Sequence, residues 1–334
     1  MQKRNGVLKI AGAAAGLAVL CAVPWGIGEY YVEILILFMI NLILAVSYRL
    51  VTTTGDWSLC HVVLYGAGAY ASAMMTKFLG LSVWLAMPVA GVVAAAVGLG
   101  FIYPLLRTKG FGFFIASYAM GEFLRLIWIK FHNPFGGPRG MISIPTPELG
   151  TIDFFFATPY YYLTLIVTVV SLVVMYRLDR SRIGDVWKAV YADELLSECV
   201  GIRVPRYRTF AFVTGAFFAG IAGALLAHRL GAIDPHNFDV TTMVYLIIWV
   251  VVGGTATFWG PIIGLAVMTL VFESTRPLLE WRPLLFGAIL ILTLLFMPDG
   301  LEGLMARVAG ALKRKRPAPA AAGVARDPQE AAGS

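Results

Sequence analysis

Arg177–Arg208 reads RLDRSRIGDVWKAVYADELLSECVGIRVPRYR, a strongly charged stretch between two long apolar runs. It carries seven lysine and arginine residues and five acidic residues. A single charge in hydrocarbon costs at least about 2.5–3.5 kcal/mol, so this stretch must lie in water. Because cations collect in cytoplasmic loops of membrane proteins, its cationic excess predicts that residues 178–207 form a cytoplasmic loop.

The same loop has the pattern of a short helix. Ala192–Val200 places Leu195, Leu196 and Val200 at helical spacings, and Gly201 follows where a helix C-cap favours a residue at positive φ. A short helix in water needs a partner to cover its apolar side. We therefore predict that a motor protein docks on this helix and that the rest of the chain is the pore which the motor drives.

The composition is that of a membrane protein. Of the 334 residues, 59% are hydrophobic and only 13% are charged, whereas a soluble domain is about 25% charged. Apolar runs of about 16–24 residues recur, and each is long enough to cross the hydrocarbon core as a helix. The sequence predicts an all-α, polytopic permease domain over residues 1–312, followed by a basic, then Ala/Pro-rich, disordered cytoplasmic tail over residues 313–334.

About ten transmembrane helices are predicted. They are Val7–Val23, Tyr31–Leu50, a third that ends near Phe78, Val83–Leu106, Phe111–Phe131, Tyr160–Tyr176, Thr209–His228, Val240–Val252, Ile262–Phe272 and Leu284–Met297. With the start inside, this order places both the charged loop and the basic tail inside, as the positive-inside rule requires. The first segment also resembles a signal peptide. However, the charged loop and the basic tail both fall on the inside only if this segment is retained as a span.

Signatures of enzymes are missing from the sequence. There is no Gly-Lys pair, hence no phosphate-binding Walker loop, and there is no HExxH zinc motif. The four histidines are scattered near the ends of the spans, so no metal site is predicted. The net charge of +7 follows from the cytoplasmic loops and does not require a nucleic acid partner. We predict a protein that is not an enzyme and binds no cofactor.

Two opposite charges lie within the fifth predicted span. Glu122 and Arg125 are three residues apart, so they can meet on one face of a helix. A charged pair inside the membrane is costly and usually faces protein or a water-filled cavity. The pair therefore lines a translocation pathway, contacts another subunit, or has a purely structural role.

Six motifs occur in a fixed order along the chain. They are GDWSLCHVVLYGAGAY (55–70), RTKGFGFFIASYAMGEFLRL (107–126), GGPRGMISIP (136–145), DELLSECVGI (193–202), GAFFAGIAGALLAH (215–228) and VVGGTATFWGPIIG (251–264). Together they resemble the LivM-type permease family of branched-chain amino acid ABC importers. The resemblance covers about Tyr31 to Pro298.

This resemblance implies a fold, a location and partners. The fold is similar to the type II permease fold of vitamin B12 importers, and the location is the bacterial inner membrane. The implied partners are a sister, LivH-like permease in a heterodimer, two cytoplasmic ATPase subunits and a periplasmic solute-binding protein. The implied activity is the import of branched-chain or related amino acids, with ATP hydrolysed by a partner subunit. Amides, urea and small aromatic acids remain open as substrates.

The segment DELLSECVGI resembles the coupling loop that docks into an ATPase cleft. On this resemblance the coupling residues are Asp193, Glu194, Leu195, Glu198, Gly201, Ile202 and Arg203. The alternative is a solvated connecting loop.

The first motif departs from the family at two positions. The family usually shows Gly-Gln-x-Ser-Leu-Gly-His, whereas this chain has Asp56 in place of Gln and Cys60 in place of the second Gly. The candidates for the pathway, or for a subunit contact, are Asp56, Ser58, Gly66, Gly68, Glu122 and Arg125. The alternative for the serine and the glycines is helix packing alone.

The third motif corresponds to an outer loop of the family. We predict that Gly136, Gly137 and Arg139 form a docking surface for the binding protein, the alternative being a plain loop rich in turns. A different function for the whole chain is an ion-coupled secondary transporter of a small organic solute. Only Glu122 and Asp56 could bind the coupling ion in such a protein.

Overall fold

The computed structural model describes residues 20–149, 152–276, 281–297 and 300–304. The helices are α1 (Glu29–Thr52), α2 (His61–Leu79), α3 (Val83–Leu105), α4 (Phe111–Lys130), α5 (Ala157–Asp179), α6 (Arg182–Ala192), α7 (Glu194–Cys199), α8 (Val204–Leu230), α9 (Val240–Gly253), α10 (Gly260–Ser274) and α11 (Arg282–Phe296). Residues 20–26 are also helical. Most of the first predicted span and the whole predicted tail, 313–334, lie outside the described residues.

Among the residues that the structure describes, five helices are long and apolar enough to cross a membrane: α1, α3, α4, α5 and α8. Each has at least the roughly 20 residues that a 30 Å hydrocarbon core requires. Shorter apolar helices occur at Val240–Gly253, Gly260–Ser274 and Leu284–Thr293. Over the described residues the predicted all-α, multi-pass architecture is therefore supported. Apart from α6 and α7, for which no span was predicted, the described helices match their predicted spans to within five residues.

The centre of the bundle is α8, which packs most extensively against α2 and α3. Small residues make this approach possible. A Cβ atom on Gly68 would overlap the backbone of Gly220, and one on Gly223 would overlap the carbonyl oxygen of Tyr65. Gly220 also faces Ala94 of α3. The helices therefore touch backbone to backbone, as small residues allow in membranes.

The two ends of the bundle differ in structure. At one end, here called the connector end, α6 and α7 join α5 to α8, and the turn over residues 53–60 joins α1 to α2. At the other, the ribbon end, strands β1 (Met141–Ile142) and β4 (Ala232–Ile233) pair antiparallel. A separate hairpin of β2 (Glu148–Leu149) and β3 (Ile152–Asp153) lies in the same loop as β1.

The connector is more ordered than the sequence predicted. A helix was expected over 192–200, but the structure has α6 as well as α7, with Asp193 between them. Ser181 is the N-cap of α6, and its Oγ accepts a hydrogen bond from the Gly184 amide. Its Trp187 is fully buried and donates from Nε1 to the Tyr207 carbonyl at 3.0 Å. The tryptophan thereby attaches α6 to the start of α8.

The α9 helix begins beside α2 and α4. The turn Pro235–Phe238 leads into α9, and Phe238 is fully buried. Its ring lies 6.0 Å from that of Trp128 in α4, and it occupies the space above Gly66 of α2. At 14 residues α9 is about 21 Å long, so it crosses only part of a hydrocarbon core.

Candidate functional site

The α7 helix presents an uncovered apolar surface at the connector end. Leu195, Leu196 and Val200 are 72%, 62% and 70% exposed. Asp193 fixes the start of the helix, because its Oδ1 accepts the Leu196 amide at 2.9 Å. Gly201 follows the helix at φ +87°, a left-handed conformation that favours glycine.

The remaining predicted coupling residues lie around the same surface. Glu198, Gly201 and Arg203 are exposed and Ile202 is half-buried. Gly201, Ile202 and Arg203 also line a cleft of about 590 Å³ between the end of α7 and the start of α8. The structure thus brings the predicted coupling residues together on one side of the connector, with α7 projecting from it.

Glu194 is tied to the spans by ion pairs. Its Oε1 lies 3.0 Å from Nζ of Lys109 and 3.7 Å from Nη1 of Arg208. Arg208 in turn forms a two-point pair with Asp56, with Nε donating to Oδ2 at 2.6 Å and Nη2 donating to Oδ1. Asp56 and Arg208 are both buried. We call these four residues the first network; it links α7, α8 and the turn before α2.

A second network fastens α6 and α5 to α1. Nη1 of Arg49 donates to Oδ1 of Asp179 at 3.0 Å, and both side chains are almost fully buried. Lys188 of α6 approaches the other carboxylate oxygen of Asp179 at 3.5 Å. Nε of Arg49 also donates to the Thr255 carbonyl at 3.2 Å, in the segment between α9 and α10.

The predicted pathway residues of the first motif have structural partners. Ser58 is buried, and its Oγ accepts the Cys60 amide at 3.3 Å, so it shapes the turn that starts α2. Gly66 faces the rings of Phe238 and Trp128, and Gly68 faces Gly220. These contacts favour helix packing, the alternative stated for the serine and the glycines. Asp56, one of the two departures from the family pattern, is the buried partner of Arg208.

Glu122 and Arg125 do pair on α4, as their spacing predicted. Nε and Nη2 of Arg125 donate to the two carboxylate oxygens of Glu122 at 2.9 and 2.5 Å. Both side chains remain partly exposed, at 27% for Glu122 and 16% for Arg125. The pair therefore lies on a surface of the bundle and is not sealed in its core.

The outer-loop residues sit at the ribbon end. Gly136 and Gly137 take positive φ angles of +86° and +65°, and Gly137 is buried. Gly140 lies against the Ile233 carbonyl, where a Cβ atom would overlap it. These glycines therefore shape the start of β1, whereas Arg139 is exposed.

Sequence reasoning missed the long-range partners of the buried charges. The sequence places Arg49 and Asp179 near the ends of apolar runs and Arg208 in the charged stretch, but it does not pair them with their partners. Their partners are 130 and 152 residues away, and nothing in the local sequence specifies them. Within the described residues, no cluster of three or more His, Cys, Asp or Glu side chains is placed to hold a metal ion.

Residues 30–297 match the family described as branched-chain amino acid transport system / permease component. The chain belongs to this family. No solved structure matches it. The match includes the turn over residues 53–60, both networks and the α4 pair, so all of these features lie within the permease component itself.

Named relatives of the permease family agree with this assignment. The chain is 30% identical over 309 residues to the LivM permease protein of the high-affinity branched-chain amino acid transport system of Escherichia coli K12. It is 29% identical to LivM of Salmonella typhimurium; both alignments cover 85% of this chain and 73% of the relative. LivH of Salmonella typhimurium is 26% identical over 286 residues, with 78% of this chain and 90% of LivH covered.

Proposed function

We propose that this chain is the transmembrane permease subunit of an ATP-binding-cassette importer in the bacterial inner membrane. It moves branched-chain or related amino acids from the periplasm to the cytoplasm, and partner subunits hydrolyse the ATP. The permease domain extends over residues 1–312, with about ten spans in a type II arrangement. A sister permease, two ATPase subunits and a periplasmic binding protein complete the importer.

The observation that carries this proposal is the exposed apolar surface of α7. Leu195, Leu196 and Val200 lie on a helix that is held firmly in place at the connector end. Burial of apolar surface is worth about 25 cal/mol per Å², so three such side chains favour a protein partner. A short helix with an apolar face and a charged rim suits a cleft in a cytoplasmic ATPase.

The first network supplies a mechanical route from this helix to the spans. A displacement of α7 acts on Glu194, which is paired with Arg208 at the start of α8. Arg208 is paired with Asp56, which precedes α2. Movement of the ATPase would therefore pass to α8 and to the start of α2 together, and both helices belong to the centre of the bundle.

At the opposite end of the molecule we propose the contact with the binding protein. Arg139 is exposed beside the glycine turn formed by Gly136 and Gly137. The β1–β4 ribbon holds this turn close to the end of α8. A docked binding protein would therefore contact the same helix that the connector holds at the other end.

The pairing of the acidic groups supports ATP as the energy source. A secondary transporter would use Asp56 or Glu122 as a ligand for the coupling ion. Asp56 is paired with Arg208, and Glu122 is paired with Arg125. An arginine stays protonated at any physiological pH, so each carboxylate already has a permanent counter-charge.

Co-purification with the ATPase subunits tests the proposal. We expect the wild-type chain to bring them through purification, and the double variant Leu195→Asp/Leu196→Asp to lose them while still inserting into the membrane. Ile142→Asp is the matched control, because Ile142 is also 62% exposed, like Leu196, but lies on β1 at the ribbon end. Retention of the ATPase by the double variant, or leucine uptake by the lone wild-type chain in energised vesicles, would contradict the proposal.

A further inference from the structure

The α4 helix is the most exposed of the five long apolar helices. In an apolar stretch of 18 residues, only 22% of the residues of α4 are buried, against 67% for α8. Ile115, Tyr118 and Leu126 are 52%, 40% and 51% exposed. Glu122 lies four residues from both Tyr118 and Leu126, so all three share one face of the helix. The described chain leaves this face largely uncovered.

The Glu122–Arg125 pair lies deep within the length of this face. Glu122 is the twelfth residue of a helix of 20 residues, about 17 Å from its start. Bilayer lipid is a poor surrounding for an ion pair, and charged residues at this depth face protein or a water-filled cavity. We therefore expect the face around the pair to meet protein or a water-filled cavity in the assembled importer, and not lipid.

A third charge borders the pair from another helix. Asp239 is the half-buried N-cap of α9 and follows Phe238, whose ring lies 6.0 Å from that of Trp128 of α4. It interacts electrostatically with both Glu122 and Arg125. Its Oδ1 accepts the Thr242 amide at 3.0 Å, which holds the carboxylate in position at the start of α9.

We propose that Glu122, Arg125 and Asp239 form a contact site for the zwitterionic head of an α-amino acid on its way through the permease. The Arg125 guanidinium receives the α-carboxylate, for which its planar fork is suited. Glu122 and Asp239 flank the α-ammonium group. Tyr118 and Leu126 offer apolar surface to the substrate side chain.

The closed pair explains how such a site can exist without its substrate. When the site is empty, Glu122 and Arg125 neutralise each other, so neither side chain is an uncompensated charge within the membrane. When the substrate arrives, each side chain exchanges its partner for the opposite charge of the substrate. Amides and urea carry no such pair of charges, so this inference, which rests on the proposed import function, narrows the substrate class to amino acids.

Uptake of labelled leucine by the complete importer in proteoliposomes tests the site, with ATP hydrolysis stimulated by the loaded binding protein measured in parallel. We expect Glu122→Gln and Arg125→Gln each to slow uptake by roughly tenfold or more, the loss of one charge-assisted contact. Stimulated ATP hydrolysis should stay at the wild-type level. Glu273→Gln and Arg276→Gln are matched controls, since that pair has the same spacing but lies at the end of α10; both should transport normally.

The charge-swapped double variant Glu122→Arg/Arg125→Glu separates this site from a structural pair. It keeps an ion pair on α4 but reverses the charges relative to Asp239, so we expect uptake to remain low. Restored uptake would overturn the proposal, as would normal uptake by the single variants. Loss of stimulated ATP hydrolysis or of assembly together with uptake would also overturn it, in favour of a subunit contact. A wild-type chain that fails to assemble with an ATPase would instead refute the proposed function.

Discussion

The buried pair of Asp56 and Arg208 shows how one substitution relative to the family pattern is accommodated. Where the family usually has Gln, this chain places a carboxylate 5% exposed, and an arginine 152 residues later neutralises it. A buried ion pair adds little net stability, but the loss of one partner destabilises the fold because the other charge stays buried without compensation. The acid and the arginine are thus expected to depend on each other.

Asp56→Asn is therefore expected to lower the free energy of unfolding by up to about 3–5 kcal/mol, because the buried Arg208 would lose its two-point partner and keep only the partly exposed Glu194, 3.7 Å away. The effect is measured as a lower unfolding midpoint of the detergent-solubilised protein. Removing both charges, with Asp56→Asn/Arg208→Met, should recover part of the loss.

The matched control for this prediction is Lys109→Ala. Lys109 pairs with Glu194 but is 69% exposed, so its pair is worth only about 0–1 kcal/mol. Equal midpoints for Asp56→Asn and Lys109→Ala would show that burial of the Asp56 pair has no energetic consequence.

At the scale of elements, the helix contacts of α8 depend on the absence of side chains. We expect Gly68→Ala to destabilise the protein by about 1–3 kcal/mol, because the new methyl group meets the backbone of Gly220, which cannot move aside. Gly100→Ala is the control: it lies in α3 with no atom within 4 Å of the new carbon. It should be neutral or stabilising by up to about 1 kcal/mol.

The thermal unfolding midpoints of the two variants in detergent test this prediction. A Gly68→Ala protein as stable as the Gly100→Ala protein would contradict the close packing of α2 against α8.

The bounds of most membrane-spanning helices could be predicted from the sequence, but the two helices of the connector could be predicted only in part. Long apolar runs have one stable solution in a membrane, so the bounds of α3 and α4 could be predicted closely. The α6 helix was missed because charge dominates its segment. The signal was present nonetheless, since Ile183, Trp187 and Val190 recur at helical spacings.

At the scale of the whole molecule, orientation can be tested with a natural cysteine. Cys199 of α7 is exposed, whereas Cys60 is buried. We expect a membrane-impermeant maleimide to label Cys199 in inside-out vesicles and not in intact spheroplasts. Ile142→Cys, on β1 at the opposite end, should show the reverse pattern. Labelling of Cys199 from outside would place the connector in the periplasm and contradict the cytoplasmic assignment.

The candidate sites were only partly predictable because their residues come from distant parts of the chain. Glu122 and Arg125 were found since their spacing on one helix fixes their contact. Asp239 was not, because its position depends on how the turn before α9 enters the bundle. The same holds for Arg49 and Asp179, whose pairing follows from the packing of α1 against α5.

The glycine contacts along α8 also bear on how the protein moves. With Gly220 pressed between α2 and α3, these three helices have no clearance to slide or rotate against one another. They form one rigid unit, which we expect to move as a single body when the ATPase displaces the connector. Opening and closing of a pathway is therefore expected in helices that pack around these three, such as α4 with Glu122 and Arg125, and α9 with Asp239 at its start.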